Sequence, residues 1–363
     1  MFELIFFVFI CIYFIQSVLF IIGASKKFKQ LTGDELPTAT VIVAARNEEL
    51  NILRCLISLD TLIYPENKLE IIIVNDRSTD KTGEIIDEFI SGKNRFKKIE
   101  TQETIGELKG KTNALANAIK ISSGEIILTT DADCEVNPNW VKTIASYYTK
   151  DVGVVCGFTN QDAVNQFSGM QALDFIYLLL VASGTINLGY PISCIGNNMS
   201  YRKKAYEDVG GYESLPFSVT EDSNLLLAIS RLKKYKITYP VDVNGMVTSK
   251  ACSTFKELFR QKKRWAVGGI DVPLRGYFVM ASGFAANIGI ILTPLFFSGV
   301  WLYLSAFKLA TDFFLLFPVH EKLGIKKNLK YFLSFEIYFT LYVIALPFIL
   351  LFDRKVVWKN REY

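Results

Sequence analysis

The sequence predicts an α/β domain on a parallel sheet, set between membrane-spanning helices. Three observations carry that reading. Between residues 38 and 270, apolar runs of strand length alternate with helix-like stretches. Long charge-poor segments flank this region on both sides. Finally, 50% of the 363 residues are hydrophobic and only 21% are charged, which gives a positive mean hydropathy where soluble domains stay polar. The length exceeds what one core usually holds, and a soluble domain plus spans accounts for it.

From Phe2 to Ile22 only Glu3 is charged, enough to cross a hydrocarbon layer once. Gly23-Ala24-Ser25 looks cleavable, but no basic leader precedes the run and the run is long for a signal peptide. Residues 1–24 are therefore expected to be an uncleaved anchor. Lys26, Lys27 and Lys29 place the following chain in the cytosol.

The strand–helix alternation then begins. Thr40 to Ala44 is β-rich, and Asn47 is expected to cap a helix carrying Leu50, Leu53, Leu56 and Ile57. Leu69 to Val74 is a second strand, followed by Ser78-Thr79 and a helix to Ile90 that Gly92 stops. A helix from about Lys111 to Ile121 leads through Gly124 into a strand over Glu125 to Thr130, and Gly153 to Phe158 reads as another. Continuous apolar strands between amphipathic helices indicate a parallel sheet covered on both faces. The charge-free stretch Phe175 to Ile192 is expected to be a core or interfacial helix, because a crossing there would separate motifs that must act together.

Beyond residue 270, Tyr277 to Val319 contains two charges, Lys308 and Asp312, one helical turn apart and able to pair inside a bundle. It fits a hairpin of two spans turning near Thr293-Pro294 or Ser298-Gly299. Tyr331 to Phe352 adds a further span with Glu336 inside it. Residues 275–352 are thus expected to form about three membrane helices, followed by a basic tail, 353–363, with Arg354, Lys355, Lys359 and Arg361. Four crossings leave that tail outside, against the positive-inside bias, so a re-entrant or interfacial run stays open.

Composition excludes much chemistry. The only histidine is His320, so no Ser-His-Asp triad, H-E-x-x-H zinc site or multi-histidine metal centre is available. The net charge of +4 is too mild for a nucleic-acid binder. Six cysteines never form C-x-x-C and suit reduced cytosolic thiols. No G-x-G-x-x-G follows the first strand, and Gly106 to Thr112 is one residue short of a Walker A loop.

Ligands of such sheets bind outside the carboxyl ends of the strands, which is where the acidic residues fall. Asp76 ends the second strand; alone it reads as a helix cap. Asp131 and Asp133 end a later strand, and in extended backbone residues two apart face one side. Two such carboxylates can share a hard divalent cation that grips a diphosphate. Thr220-Glu221-Asp222 precedes a helix-like stretch from Ser223 to Arg231. Gln261-Lys262-Lys263-Arg264-Trp265 ends an amphipathic stretch from Thr254 and presents a donor, a fixed cation and an aromatic plate. Lys256, Arg260, Lys262, Lys263 and Arg264 also suit a helix lying on anionic lipid.

In order and approximate spacing, Ala45-Arg46-Asn47-Glu48, Asn75-Asp76-Arg77-Ser78, Gly110-Lys111, Asp131-Ala132-Asp133, Thr220-Glu221-Asp222 and Gln261 to Trp265 resemble glycosyltransferase family 2, the membrane-bound branch with a Q-x-x-R-W signature. The resemblance covers about residues 38–270. It departs at Ala44, where many members carry Pro. It implies a GT-A fold, a hexosyltransferase activity on a nucleotide-sugar donor (UDP-linked in expectation), Mg²⁺ or Mn²⁺, and inversion at the anomeric carbon. It implies donor contacts from Ala45, Glu48, Asp76, Lys111 and Asp131, and metal binding by Asp133 with Asp131. Asp222 would be the general base and Arg264 would stabilise the departing diphosphate. Gln261 and Trp265 would frame the acceptor end, with Gly196 and Asn197 in an acceptor loop over Ser193 to Asn198. The favoured expectation is sugar transfer to a membrane lipid of the cell envelope by a multi-pass protein of the cell (inner) membrane, with its catalytic domain cytosolic. A processive polysaccharide synthase and a catalytically silent nucleotide-binding scaffold are the alternatives.

Overall fold

The computed structural model describes residues 1–101, 104–355, 357–358 and 361–362; Lys359 of the expected tail lies outside the described residues. From the amino terminus, α1 (Phe2–Ala24) leads to β1 (Ala39–Ala45), α2 (Ile52–Asp60), β2 (Leu69–Asn75), α3 (Thr82–Ile90), β3 (Phe96–Glu100), α4 (Gly110–Ile121) and β4 (Ile126–Asp131). Next come β5 (Cys134–Val136), α5 (Trp140–Ser146), β6 (Val152–Cys156), β7 (Thr159–Gln161) and α6 (Gln166–Asn187). β8 (Met199–Arg202), α7 (Lys203–Asp208), α8 (Glu221–Arg231), β9 (Lys236–Thr238) and β10 (Val247–Ser249) follow. The chain then runs through α9 (Phe255–Gly268), α10 (Leu274–Ile291), α11 (Gly299–Lys322) and α12 (Phe332–Phe352).

These elements form two compact units that interleave in sequence. An α/β unit comprises Lys26–Asn160 and Ser193–Lys250; a helical unit comprises Met1–Ser25, Gln161–Ile192 and the chain from Ala251. Residues 161–192 thus pack with the other apolar helices and interrupt the continuous stretch 38–270 that the sequence suggested.

In the α/β unit the seven-stranded sheet runs β3-β2-β1-β4-β8-β6-β9. β1 pairs in parallel with β2 and β4, and β2 with β3. The apolar expectation holds here, because Val41 to Val43 and Ile71 to Val74 are fully buried. Alternation divides them between two faces. Val41, Val43, Ile71 and Ile73 pack with Leu56 and Leu59 of α2 and Trp140 and Ile144 of α5. The strand expected over Gly153 to Phe158 is β6, but it does not extend the parallel set directly. β8 stands between β4 and β6, antiparallel to both. Met199-Ser200-Tyr201-Arg202 has no continuous apolar run, which is why its pattern gave no strand.

The helix after β1 begins later than its sequence suggested. α2 starts at Ile52, and Asn47 instead adopts φ 53° with its side-chain oxygen accepting from the Thr79 amide at 2.8 Å. Asn tolerates this left-handed conformation, and its short amide ties the loops after β1 and β2 together.

In the helical unit, among the described residues, five helices are long and apolar enough to cross a membrane: α1, α6, α10, α11 and the one ending at Phe352. α6 is apolar nearly all round, as a buried helix must be. α1 and α6 touch backbone to backbone at Gly23 and Gly184, where a Cβ on either would collide with the other helix. Such small-residue crossings let membrane helices pack closely. The expected hairpin turn lies at residues 292–298, between α10 and α11. Lys308 and Asp312 pair at 2.7 Å as their spacing suggested, and Glu336 of α12 joins them at 2.8 Å from Lys308. Tyr13 of α1 bonds Asp312 and lies 2.8 Å from Tyr177 of α6, so four helices meet at one polar cluster.

Substituting Lys308 by Met removes the cation between two buried carboxylates. The variant is expected to lose about 3–5 kcal/mol, the usual cost of breaking a buried pair from one side. A lowered unfolding midpoint of the detergent-solubilised protein checks this, and an unchanged midpoint refutes it.

Candidate active site

The sheet order reverses at β1, whose neighbours β2 and β4 lead in opposite directions, and ligands of open α/β sheets bind outside the strand ends at such a point. β1 and β2 end side by side at Ala45 and Asn75, and β4 ends at Asp131, one position on from Thr130, the partner of Val43. The Asp76 amide extends the ladder to the Ala45 carbonyl at 2.8 Å. Asp76 is buried; Arg46 donates to its carbonyl at 3.0 Å and stands 3.8 Å from its carboxylate. The Glu48 amide donates to the Thr82 hydroxyl at 2.8 Å, and its carboxylate accepts from Asn51 at 2.8 Å. Ala45, Glu48 and Asp76 thus share one rim of the strand ends.

Asp131 is the last residue of β4, but Ala132 and Asp133 form a turn into β5, so the extended backbone assumed for the D-x-D pair stops at its first member. The two carboxylates nevertheless act on the same neighbours. Burial pushes the Cys55 and Cys134 thiols up, and the charges of Asp133 and Asp131 push them further. Among the described residues no group of three or more His, Cys, Asp or Glu side chains is placed to hold a metal by itself. A pair of carboxylates fits a hard cation that takes its other ligands from a diphosphate and water.

Lys111, second residue of α4, links this pair to the T-E-D segment. Its ammonium lies 2.6 Å from Asp131 and 3.2 Å from Glu221. Burial alone would lower its pKa; the charges of Asp131, Glu221 and Asp222 outweigh that and hold it above the ordinary lysine value. Lys111 is therefore a fixed cation. Glu221 was not singled out by its motif position, and its partnership with Lys111 needs the fold, since 110 residues separate them.

Asp222 is the second residue of α8, with one carboxylate oxygen accepting from the Ser223 amide at 2.7 Å. Its other oxygen faces Gly196, where an added Cβ would stand 3.0 Å away. The Gly196–Asn198 turn is pinned to β4 by Thr129, whose hydroxyl lies 2.8 and 3.0 Å from the Gly196 and Met199 carbonyls. The Asn197 side chain accepts from Thr159 at 2.8 Å. Asp131, Lys111, Glu221, Asp222, Gly196 and Asn197 are thus brought together at the β4 end. Thr129 and Ser223 hold this site, and no sequence motif marked them.

The model of Glycosyl transferase family 2 matches residues 40–210, and that of Glycosyl transferase family group 2 matches residues 126–352. The chain belongs to glycosyltransferase family 2. It is a glycosyltransferase. It is 28% identical over 332 residues to a probable glycosyltransferase of Bacillus subtilis, covering 86% of this chain and 74% of that protein. The poly-β-1,6-N-acetyl-D-glucosamine synthase of Staphylococcus aureus is 28% identical over 289 residues, 77% of this chain and 66% of the relative. The β-monoglucosyldiacylglycerol synthase of Synechocystis is 28% identical over 247 residues, 66% of this chain and half of the relative. A mannosyltransferase of Pyrobaculum calidifontis, solved with GDP-mannose and Mn²⁺, shares the fold at a TM-score of 0.61 and 18% identity, covering 93% of this chain and 99% of that one.

In the helical unit of the glycosyltransferase, Gln261, Arg264 and Trp265 lie on α9 and are each partly exposed. The basic face expected there is smaller than the sequence suggested. Lys262 pairs with Asp174 and Lys263 with Asp353 at 2.5 Å, and both lysines are buried. Lys256 and Arg260 remain exposed, beside the exposed Phe255 and Phe259.

Gly196 supplies a test of the site geometry. In the Gly196→Ala variant the new methyl group presses on the Asp222 carboxylate and moves it. The carboxylate must give by a few tenths of an ångström, and transfer should fall by about ten-fold, less than the loss that a full ångström of misplacement brings. A thermal midpoint close to wild type would separate this from unfolding; wild-type transfer would show the contact to be harmless.

Proposed function

We propose that this glycosyltransferase moves one hexose, or very few, from a UDP-linked donor to a membrane lipid with inversion at the anomeric carbon. The observation that carries the reading is the placing of Asp222 beside the Gly196 turn while the Lys111 cation joins Asp131 and Glu221 behind it. The Asp222 carboxylate lies tightly against Gly196, and the Asp131 and Asp133 carboxylates suit a divalent cation that grips a diphosphate.

In the mechanism proposed, Asp222 takes the proton of the acceptor hydroxyl as its oxygen attacks the anomeric carbon. The new glycosidic C–O bond forms as the bond to the diphosphate oxygen breaks, so the configuration inverts. Ala45, Glu48 and Asp76 bind the nucleoside side of the donor, with Lys111 and Asp131 toward the diphosphate. Asp133 with Asp131 would hold Mg²⁺ or Mn²⁺, which when bound neutralises charge on the leaving diphosphate. Gly196 and Asn197 line the acceptor. The roles of Arg264 at the diphosphate, and of Gln261 and Trp265 at the acceptor end, are supported by their place in the Q-x-x-R-W sequence.

A lipid acceptor is supported by the five apolar helices and by a relative named for a glucosyldiacylglycerol. A multi-pass protein of the cell membrane with its α/β unit in the cytosol is supported by the same helices and by Lys26, Lys27 and Lys29. The Staphylococcus relative, named for a polysaccharide, favours a processive synthase. The buried charges of the helical unit count against that reading: Lys308, Asp312 and Glu336 satisfy one another, and an aqueous glycan path needs polar groups that face it.

The Asp222→Asn variant is expected to lose transfer by about 10²–10⁴-fold, the usual worth of a positioned base, with donor affinity nearly intact by calorimetry. Transfer at the wild-type rate would remove Asp222 from the mechanism. The acceptor is tested by incubating the purified chain with labelled UDP-sugars and total membrane lipid. Mass spectrometry should find lipid carrying one or a few sugars; a ladder of long, glycosidase-digestible glycan would overturn the lipid reading.

A further inference from the structure

We infer that Asp174, Lys262 and Tyr342 form a positioning network that fixes Trp265 for the acceptor, an inference that rests on the assignment of Trp265 to the acceptor end. All of its members belong to the helical unit, on α6, α9 and α12.

Asp174 is fully buried on α6, and both of its carboxylate oxygens are used. One takes the ammonium of Lys262, and the other accepts from the Tyr342 hydroxyl at 2.6 Å. Lys262 is buried as well, and its ammonium also stands 4.3 Å from the centroid of the Trp265 ring. Residues three apart share a helix face, so the cation that neutralises Asp174 also lies on the tryptophan, a cation–π contact strengthened by desolvation. Phe175, next to Asp174, stacks on the same indole with centroids 5.4 Å apart and planes 15° apart. Two consecutive residues of α6 thereby define where residues 262 and 265 of α9 stand.

The approach to α9 is fixed by the same helix. Gln171 brackets Cys252, accepting from its amide at 2.9 Å and donating to its carbonyl at 3.1 Å. Thr254 then caps α9, its hydroxyl accepting from the Glu257 amide at 3.2 Å. Start, rotation and indole of α9 are each set from α6. The Trp265 ring itself stays partly exposed. Stability alone is a poor reason for this arrangement, because a buried ion pair is often replaceable by apolar side chains without loss. What an apolar pair cannot supply is a cation on the indole.

The test uses the full chain in detergent with a UDP-hexose donor and total membrane lipid in mixed micelles as acceptor, each varied in turn. In Asp174→Asn/Lys262→Met both charges leave together, so neither is stranded. This variant should keep the wild-type thermal midpoint and donor KM, while its acceptor KM rises on the order of ten-fold, the equivalent of one desolvated cation–π contact. Lys262→Arg, which keeps the charge, should stay close to wild type. An unchanged acceptor KM in the double variant, or an equal rise in the donor KM, overturns the inference. If the double variant does not fold, Tyr342→Phe decides: it removes a single hydroxyl from Asp174, and an unchanged acceptor KM there overturns the network. Trp265→Ala separates the two levels. An unchanged acceptor KM in it sinks the assignment of Trp265 and this inference with it. A raised one, with the network variants at wild type, sinks the network alone.

Discussion

The candidate active site is held together by one partly buried ammonium. Lys111 lies between Asp131 at the end of β4 and Glu221 at the start of α8, with the charge of Asp222 also bearing on it. Without a cation, three carboxylates gathered at one strand end would repel one another, and the first turn of α8 would be driven away from the sheet. With it, the carboxylates stay close. The same ammonium joins α4, β4 and α8, so a site drawn from residues 111, 131 and 221 is held as one body.

The helical unit answers the same problem with the same arithmetic, one lysine among several carboxylates. Lys308 meets Asp312 and Glu336 where none of the three is more than 5% exposed, and the Tyr13 hydroxyl donates to Asp312 and lies 2.8 Å from the hydroxyl of Tyr177. Lys262 and Asp174 form a second buried pair. Charges in an apolar bundle are costly unless paired; Lys308–Glu336 joins α11 to α12 and Lys262–Asp174 joins α9 to α6, while Lys308–Asp312 lies within α11. The long apolar helices tolerate many neighbours of similar shape, whereas the ion pairs between helices require a particular partner. Gly23 against Gly184 adds a steric condition of the same kind.

Much of this could be read from the residues. Strand-length apolar runs marked β1, β2, β4 and β6 because they are buried on both faces, and the acidic residues at their carboxyl ends marked the site. Lys308 and Asp312 were legible as a pair because they lie on one helix at i and i+4. What escaped had no local pattern. β8 is short, polar in part and antiparallel, and only its neighbours on both sides make it a strand. Asn47 looked like a helix cap, since a capping residue and a left-handed loop residue are the same short amide; the partner that decides, Thr79, lies 32 positions away. The basic stretch before Trp265 read as a lipid-facing surface, but Lys262 and Lys263 turn inward because Asp174 and Asp353 wait there. Charge in a sequence carries no direction until its counter-charge is placed.

The same accounting narrows the proposed base to a carboxylate. The α/β unit contains no histidine, His320 being in α11. Its thiols nearest the acidic cluster are poor bases and nucleophiles: burial pushes Cys55, Cys134 and Cys194 up, and neighbouring carboxylates push Cys55 and Cys134 further. Lys111 is held protonated by the carboxylates it bridges, so it can stabilise negative charge but cannot accept a proton. Glu221 is committed to that lysine. Asp222 differs from all of these in lying against Gly196, so close that a Cβ there would stand 3.0 Å from its second oxygen. Only a glycine lets the turn and the carboxylate approach this closely. Of the carboxylates at this strand end, Asp222 is the one proposed as the base.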